Sequence, residues 1–180
     1  WNAAGLPRLQ RQEFLGGYIP TQYVSGLSNG YGAATIPIGE NQAIGADVFY
    51  DSFSDSELEF TGLAVRAAYG YALGRSLSLG LTGKFYSPIN VTLDGVERGS
   101  GRAIGFDAST ILDVGPLVKS LDGLRLGLVV RDIGGTNLVH DENTEKDWLA
   151  QEFVYGASYR LGDSFLLTTQ LDDRLHLGAE

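Results

Sequence analysis

The 180-residue chain contains no cysteine and no methionine. Without cysteine it has no disulfide framework, no thiolate zinc site and no thiol chemistry. It also has no run of 18 or more apolar residues, so no transmembrane helix is predicted. Basic residues number 13 against 22 acidic ones, the net charge is −9, and no lysine and arginine cluster occurs. This charge balance argues against a nucleic-acid partner.

Catalytic signatures are missing as well. The two histidines, His140 and His176, are not spaced as a metal-binding helix pair, and no G-x-S-x-G nucleophile motif occurs. The adjacent carboxylates Asp172 and Asp173 would point to opposite faces of a strand, which argues against an acid/base pair. We therefore predict that the chain is not an enzyme and needs no cofactor.

What the sequence does contain is alternation with a period of two. Residues 63–71 and 77–85 carry apolar or aromatic side chains at odd positions, and mainly small or polar ones at even positions. If 73–75 form a tight hairpin turn, Arg66 faces Thr82, and the odd positions of both strands share one face. Residues 153–171 repeat this pattern around a turn at 161–163. Such alternation predicts antiparallel strands.

About ten strands can be placed, most of 10 to 16 residues, whereas strands of soluble proteins average about 5 to 6 residues. Short connections (39–41, 73–75, 116–123 and 161–163) alternate with long polar ones (52–56, 87–101 and 134–148). Outer-membrane barrels show such a difference between periplasmic turns and extracellular loops. The predicted fold is all-β, an antiparallel up-and-down transmembrane β-barrel. The alternative is a soluble lipocalin-like barrel or sandwich, in which the apolar face would be the buried core.

The face opposite the apolar one carries charges of both signs. The predicted lumen-facing polar residues are Arg66, Lys84, Asp107, Arg125, Arg131, Glu152, Arg160 and Asp172. In a membrane barrel, such charges either pair structurally across the interior or line a polar passage. Mixed signs argue against strong ion selectivity.

The long connection 134–148 is the best candidate for a partner-binding loop. Its predicted contact residues are His140, Asp141, Glu142, Glu145 and Trp148. Asp141, Asn143 and Glu145 also follow the oxygen spacing of a calcium-binding loop, which makes them a weak calcium candidate. An EF-hand loop needs glycine at its sixth position, where this chain has Lys146. The prediction is therefore a solvated loop without metal.

Several segments resemble one family when taken in order. They are WNAAGL at 1–6, YALGRSLSLG at 71–80, GFDA at 105–108, LRLGLVVRDIG at 124–134 and LHLGAE at 175–180. They resemble segments of PorV-type outer-membrane proteins and their FadL-like relatives, the long-chain fatty-acid transporter superfamily. In the first segment Ala3 stands where the family pattern has proline. The resemblance covers nearly the whole chain.

The resemblance implies a barrel of about 14 strands in the outer membrane of a Gram-negative-type bacterium. The 180 residues are then expected to be one β-barrel domain truncated at both ends, with 1–10 as a luminal segment and 11–180 as strands. A first residue other than methionine agrees with a truncated chain. Expected partners are outer-membrane lipid and lipopolysaccharide, together with other envelope or secretion-complex proteins.

Three functions stay open for a membrane barrel, whereas a soluble barrel would bind a lipid. The PorV branch implies a secretion accessory or shuttle barrel that receives exported proteins from a type IX translocon. The FadL branch implies passive transport of hydrophobic compounds. The third function is a structural anchor or scaffold subunit of an envelope complex, which would bind its partners through long extracellular loops.

Overall fold

The structure, a computed structural model, describes residues 2–20, 26–55, 58–93, 96–99, 102–137, 148–162 and 164–179. Two short 3-10 helices lie in this part of the chain, at Ala3–Arg8 and Lys119–Leu121. The strands are β1 (Glu13–Pro20), β2 (Ser28–Pro37), β3 (Gln42–Ser54), β4 (Leu58–Leu73), β5 (Leu77–Leu93), β6 (Val96–Gly99), β7 (Ala103–Asp113), β8 (Leu124–Arg131), β9 (Thr136–Asn137), β10 (Trp148–Leu149), β11 (Glu152–Leu161), β12 (Phe165–Leu171) and β13 (Leu175–Ala179).

Ten of these strands form one antiparallel sheet in the order β1-β2-β3-β4-β5-β7-β8-β11-β12-β13. Each strand pairs with the next along this order, so the chain runs up and down. β6 pairs with the far end of β5, and β9 pairs with β10 in a separate ribbon. The prediction of an all-β, up-and-down antiparallel sheet is confirmed.

The register of the β4–β5 hairpin differs by two residues from the expected one. Arg66 faces Lys84, whereas the sequence pattern placed it opposite Thr82. The turn occupies residues 74–76, and Gly74 adopts a left-handed backbone with φ of 72°. A shift of two residues keeps each side chain on its predicted face, because the side-chain period of a strand is also two.

Two of the expected long loops are wrong. β3 continues to Ser54 and β4 begins at Leu58, so little chain is left for a loop at 52–56. Most of the expected loop at 87–101 is strand, because β5 extends to Leu93 and pairs with β6. Backbone pairing in this long hairpin satisfies N–H and C=O groups that a loop would leave to solvent.

The two faces of the sheet are exposed to very different degrees. On β5, Leu81 is 64% exposed, whereas Lys84 on the opposite face is 6% exposed. On β7, Ile104 and Phe106 are exposed, whereas Ser109 is buried. We call these the apolar face and the polar face. A soluble barrel with the apolar face as its core would show the reverse.

The N-terminal 3-10 helix covers part of the polar face. It contacts β4 and β5, where Gly70 and Gly80 are direct cross-strand partners. A Cβ atom on Gly70 would lie 2.5 Å from the carbonyl oxygen of Ala3, and one on Gly80 would collide with the backbone of Ala3 and Ala4. The backbone N–H of Ala4 donates to the hydroxyl of Ser109 at 3.1 Å. The glycine pair therefore leaves room for this helix.

Replacing Gly80 with alanine should displace the N-terminal helix. We expect the Gly80→Ala variant to lose about 1 to 3 kcal/mol of unfolding free energy, as overpacked sites do. The matched control is Gly83→Ala on the apolar face of the same strand, where the nearest atom to a new Cβ is 3.9 Å away. The control should shift stability by less than about 0.5 kcal/mol. Equal urea midpoints for the two variants would contradict the packing described here.

Candidate functional site: a charged belt on the polar face

Charged side chains form a belt across the polar face from β3 to β11. Its members are Asp47, Arg66, Lys84, Asp107, Arg131, Asp132 and Glu152. The sheet register brings most of them together, since Arg66 lies between Asp47 and Lys84 on adjacent strands. Arg131 and Glu152 likewise face each other across β8 and β11. The belt contains three cations and four carboxylates, so its charges nearly balance.

Lys84 is at the centre of the belt. Its Nζ lies 2.7 Å from Asp107 Oδ1 and 2.7 Å from Asp132 Oδ1, and its side chain is buried. Gly105 is the β7 partner of Lys84 and provides the space for it, because a Cβ atom there would lie 3.1 Å from the lysine Cε. A buried charge is tolerated only when it is paired and hydrogen-bonded, and two carboxylates meet that need here.

Asp132 belongs to a tight turn that follows β8. It has a left-handed backbone with φ of 49°, and both Gly134 and Gly135 after it have positive φ. Its backbone N–H donates to Asp107 Oδ1 at 2.9 Å, and its own Oδ1 accepts from the hydroxyl of Thr136 at 2.9 Å. The carboxylates on Lys84 therefore also hold the chain from Asp132 to Thr136 against the polar face.

The cations of the flanking ion pairs are more open to solvent than Lys84. Arg66 Nε lies 2.7 Å from Asp47 Oδ1, and Arg131 Nη1 lies 2.9 Å from Glu152 Oε2. A polar cavity of about 370 Å³ lies between these pairs, and Tyr86 is one of the residues that line it. Because each lining cation has a carboxylate partner, the cavity has no strong preference for ions of one sign.

A second polar cluster lies at the end of the sheet that carries the 114–123 connection. Arg8 Nη1 lies 3.0 Å from Asp113 Oδ2, and Arg125 Nε reaches the same oxygen at 3.4 Å. Asp113 therefore ties the end of the N-terminal helix to β7 and β8. Arg160 is on the same face of β11, two residues from Ser158, the direct partner of Arg125.

Asp172 stabilises the turn between β12 and β13. Its carboxylate accepts hydrogen bonds from the backbone N–H of Arg174 at 2.9 Å and from the side-chain amide of Gln170 at 2.8 Å. Hydrogen bonds to the ionised carboxylate lower the pKa of Asp172 below its usual range. The bond from the backbone of Arg174 has the largest effect, and the bond from Gln170 has the next largest. His176 Nε2 lies 3.2 Å from the same carboxylate.

The predicted lumen-facing residues thus separate into three groups. Five of them lie in the charged belt: Arg66, Lys84, Asp107, Arg131 and Glu152. Arg125 and Arg160 lie in the second cluster, and Asp172 lies in a turn.

Sequence reasoning did not select Asp47 and Asp132, although each pairs with a predicted cation. For Asp132 a signal exists in the sequence Asp-Ile-Gly-Gly, which is typical of a turn directly after a strand.

Most of the predicted loop surface lies outside the described residues, namely His140, Asp141, Glu142 and Glu145. The calcium candidate lies there too. Trp148 begins β10, and its backbone pairs with Asn137. Within the part of the chain that the structure describes, no three or more His, Asp or Glu side chains are grouped as metal ligands.

Comparison with known proteins adds no assignment. The chain matches no protein-family model, and no curated protein matches it significantly. Neither described helix is long and apolar enough to cross a membrane.

Removing the central lysine should be far more costly than removing a flanking arginine. We expect Lys84→Met to cost about 3 to 5 kcal/mol of unfolding free energy, because it leaves the buried Asp132 and the partly buried Asp107 without their cation. Arg131→Gln breaks a pair in which both side chains are more than a third exposed, and should cost at most about 1 kcal/mol. Equilibrium urea unfolding measures both values.

Adding Asp132→Asn to the lysine variant removes one of the two like charges. The double variant should therefore recover part of the lost stability. If Lys84→Met and Arg131→Gln unfold at the same urea concentration, Lys84 contributes no more to the free energy of unfolding than a flanking arginine does, and the prediction is wrong.

Proposed function

We propose that these strands form the wall of a bacterial outer-membrane β-barrel of the PorV/FadL-like class, which acts as an accessory or shuttle barrel in protein secretion. The observation that supports it most strongly is the inverted exposure of the sheet. Large apolar side chains cover one face of the sheet, and mainly small or charged ones occupy the opposite face. Monomeric soluble proteins rarely expose apolar patches of more than a few hundred Å².

The exposed apolar side chains extend across the whole sheet. They include Tyr18, Ile44, Val48, Tyr69, Leu79, Leu81, Phe106, Leu126, Tyr155, Leu167 and Leu177. In water, each exposed Å² of such surface costs about 25 cal/mol relative to an apolar environment. Contact with lipid acyl chains removes that cost, and a lipid-facing sheet needs no other layer on this face.

Closing the sheet is part of the proposal. β1 and β13 are the two end strands of the order, and unpaired backbone groups are costly in hydrocarbon. The end strands therefore need to pair with each other or with further strands, and the family resemblance implies about 14 in total.

Two layers on the polar face favour an accessory or anchor role over an open aqueous channel. The N-terminal helix rests on Gly70 and Gly80, and the charged belt with its central Lys84 lies beside it. Both layers are held in place by direct contacts, so we do not expect the polar face to line a wide water-filled pore. The resemblance of the strand segments to PorV-type proteins points the same way.

A second candidate, passive transport of hydrophobic compounds, has one observation in its favour. The polar face carries an apolar patch at its β1 edge, made by Leu15, Ile19, Tyr31 and Phe49, all of them exposed. No charged residue of the belt belongs to this patch. A hydrophobic compound inside the barrel would find its most favourable contacts there.

The membrane proposal is tested by nitroxide scanning of two neighbouring residues on β12. Leu167 is on the apolar face, whereas Thr168 is exposed on the polar face, and the cysteine-free chain makes single labelling clean. In vesicles, a label at Leu167→Cys should be accessible to oxygen dissolved in lipid and not to an aqueous nickel chelate. A label at Thr168→Cys should show the opposite preference.

The accessibilities should therefore alternate with a period of two along β12. If both labels meet the aqueous reagent equally, the apolar face does not contact lipid, and the membrane proposal is wrong.

The secretion role is tested by replacing residues 138–147 with a Gly/Ser segment of equal length. The replacement leaves Thr136 in place, because its hydroxyl bonds Asp132 and holds the turn. If this loop is the partner surface, co-purification of envelope proteins should be lost while membrane insertion is kept. Unchanged co-purification, together with loss of hydrophobic uptake in a Phe49→Gln variant, would favour the transport function.

A further inference from the structure

A separate cavity of about 430 Å³ lies on the polar face beside the second cluster, away from the charged belt. Its polar lining consists of Arg125, Arg160, Ser158, Asp113 and Asp122. We call it the arginine pocket. It lies where β8 begins and β11 ends.

The sheet register points both arginines into this pocket. Arg125 faces Ser158 directly across β8 and β11, and Arg160 follows two residues later on the same face. Diagonal neighbours of this kind are about 7 to 8 Å apart at their Cα atoms, a distance that long side chains bridge easily. The backbone N–H of Arg160 donates to the carbonyl of Gly123 at 3.1 Å, which fixes the end of β11.

Hydrogen-bonding capacity remains unused in this pocket. Arg125 contacts Asp113 only through Nε, at 3.4 Å, and Asp113 makes its shorter bond, 3.0 Å, to Arg8. Among the residues that the structure describes, Arg160 makes no ion pair, and the hydroxyl of Ser158 makes no hydrogen bond. Two guanidinium groups and one hydroxyl therefore converge on one solvent-accessible space.

We propose that the arginine pocket binds a phosphate-type oxyanion, either free phosphate or the phosphate of a lipid headgroup. Guanidinium groups pair with phosphate oxygens through two parallel hydrogen bonds, and arginine is favoured wherever such recognition is needed. A tetrahedral oxyanion has enough oxygens to engage two arginines and a serine from different sides. A carboxylate presents its two oxygens in one plane, so it matches donors that approach from several directions less well than a tetrahedral oxyanion does.

Asp122 makes the pocket selective for ligands of low negative charge. Its carboxylate lines the same cavity, so it repels a phosphate dianion more strongly than a monoanion. A phosphodiester, which carries one negative charge, is therefore the favoured form of the ligand. The inference does not depend on the proposed secretion role, because the pocket is formed by the sheet itself.

The test is calorimetric titration of inorganic phosphate into the purified chain in a phosphate-free buffer. Arg160→Gln and Arg125→Gln should each weaken binding by on the order of tenfold or more, as expected when a charge-assisted hydrogen bond is lost. Asp122→Asn should strengthen binding several-fold, on the order of what removing one nearby like charge contributes. The matched control is Arg174→Gln, an exposed arginine in the β12–β13 turn, which should bind as the wild type does.

Arg160 is the decisive position, because it does not touch the Arg8–Asp113 pair that holds the N-terminal helix. Dioctanoyl phosphatidylglycerol, with dioctanoylglycerol as its phosphate-free control, then separates the two sources. Tighter binding of this lipid than of inorganic phosphate assigns the pocket to a headgroup, and equal or weaker binding assigns it to free phosphate. Absence of binding to either probe, or equal affinities of Arg160→Gln and Arg174→Gln, would overturn the proposal.

Discussion

Successive side chains of a β-strand point to opposite faces, and the rest of this structure depends on how the chain uses that constraint. One face is given to large apolar side chains such as Leu81 and Phe106, which are exposed. The other is given mainly to glycine, alanine, serine and a limited set of charges, with an apolar patch of Leu15, Ile19, Tyr31 and Phe49 at its β1 edge. A sheet of ten strands keeps this division because the neighbouring strands pair with matching parity.

The polar face must then satisfy its charges without a conventional apolar core. It does so by pairing them along the sheet, and Lys84 with its two carboxylates is the most buried example. The glycine positions, which have no side chain, are as important on this face as the charged positions. Gly105 makes room for Lys84, and the pair Gly70 and Gly80 makes room for the N-terminal helix. The apolar cluster of the polar face is correspondingly small and includes Leu6 and Ala43.

The proposed function rests on the same division of faces. In that proposal the exposed apolar face contacts lipid, and the filled polar face belongs to a barrel that does not conduct ions freely. The belt and the arginine pocket differ in whether every cation already has a partner. In the pocket Arg125 shares Asp113 with Arg8. Arg131 is paired with Glu152, whereas Arg160 has no ion pair among the described residues. A ligand is therefore expected at the pocket and not at the belt.

The sequence alone determined most of the strands, their antiparallel order and the face of the side chains on those strands, because these follow from a local period of two. Tertiary structure decided what depends on contacts between distant segments. The register of Arg66 with Lys84 depends on the conformation of the turn, and the bond from Ala4 to Ser109 joins residues 105 positions apart. Asp132 reaches Lys84 from outside any strand, so alternation could not reveal it. A local pattern assigns a side chain to a face, whereas its partner on that face depends on register and on chain folding back from elsewhere.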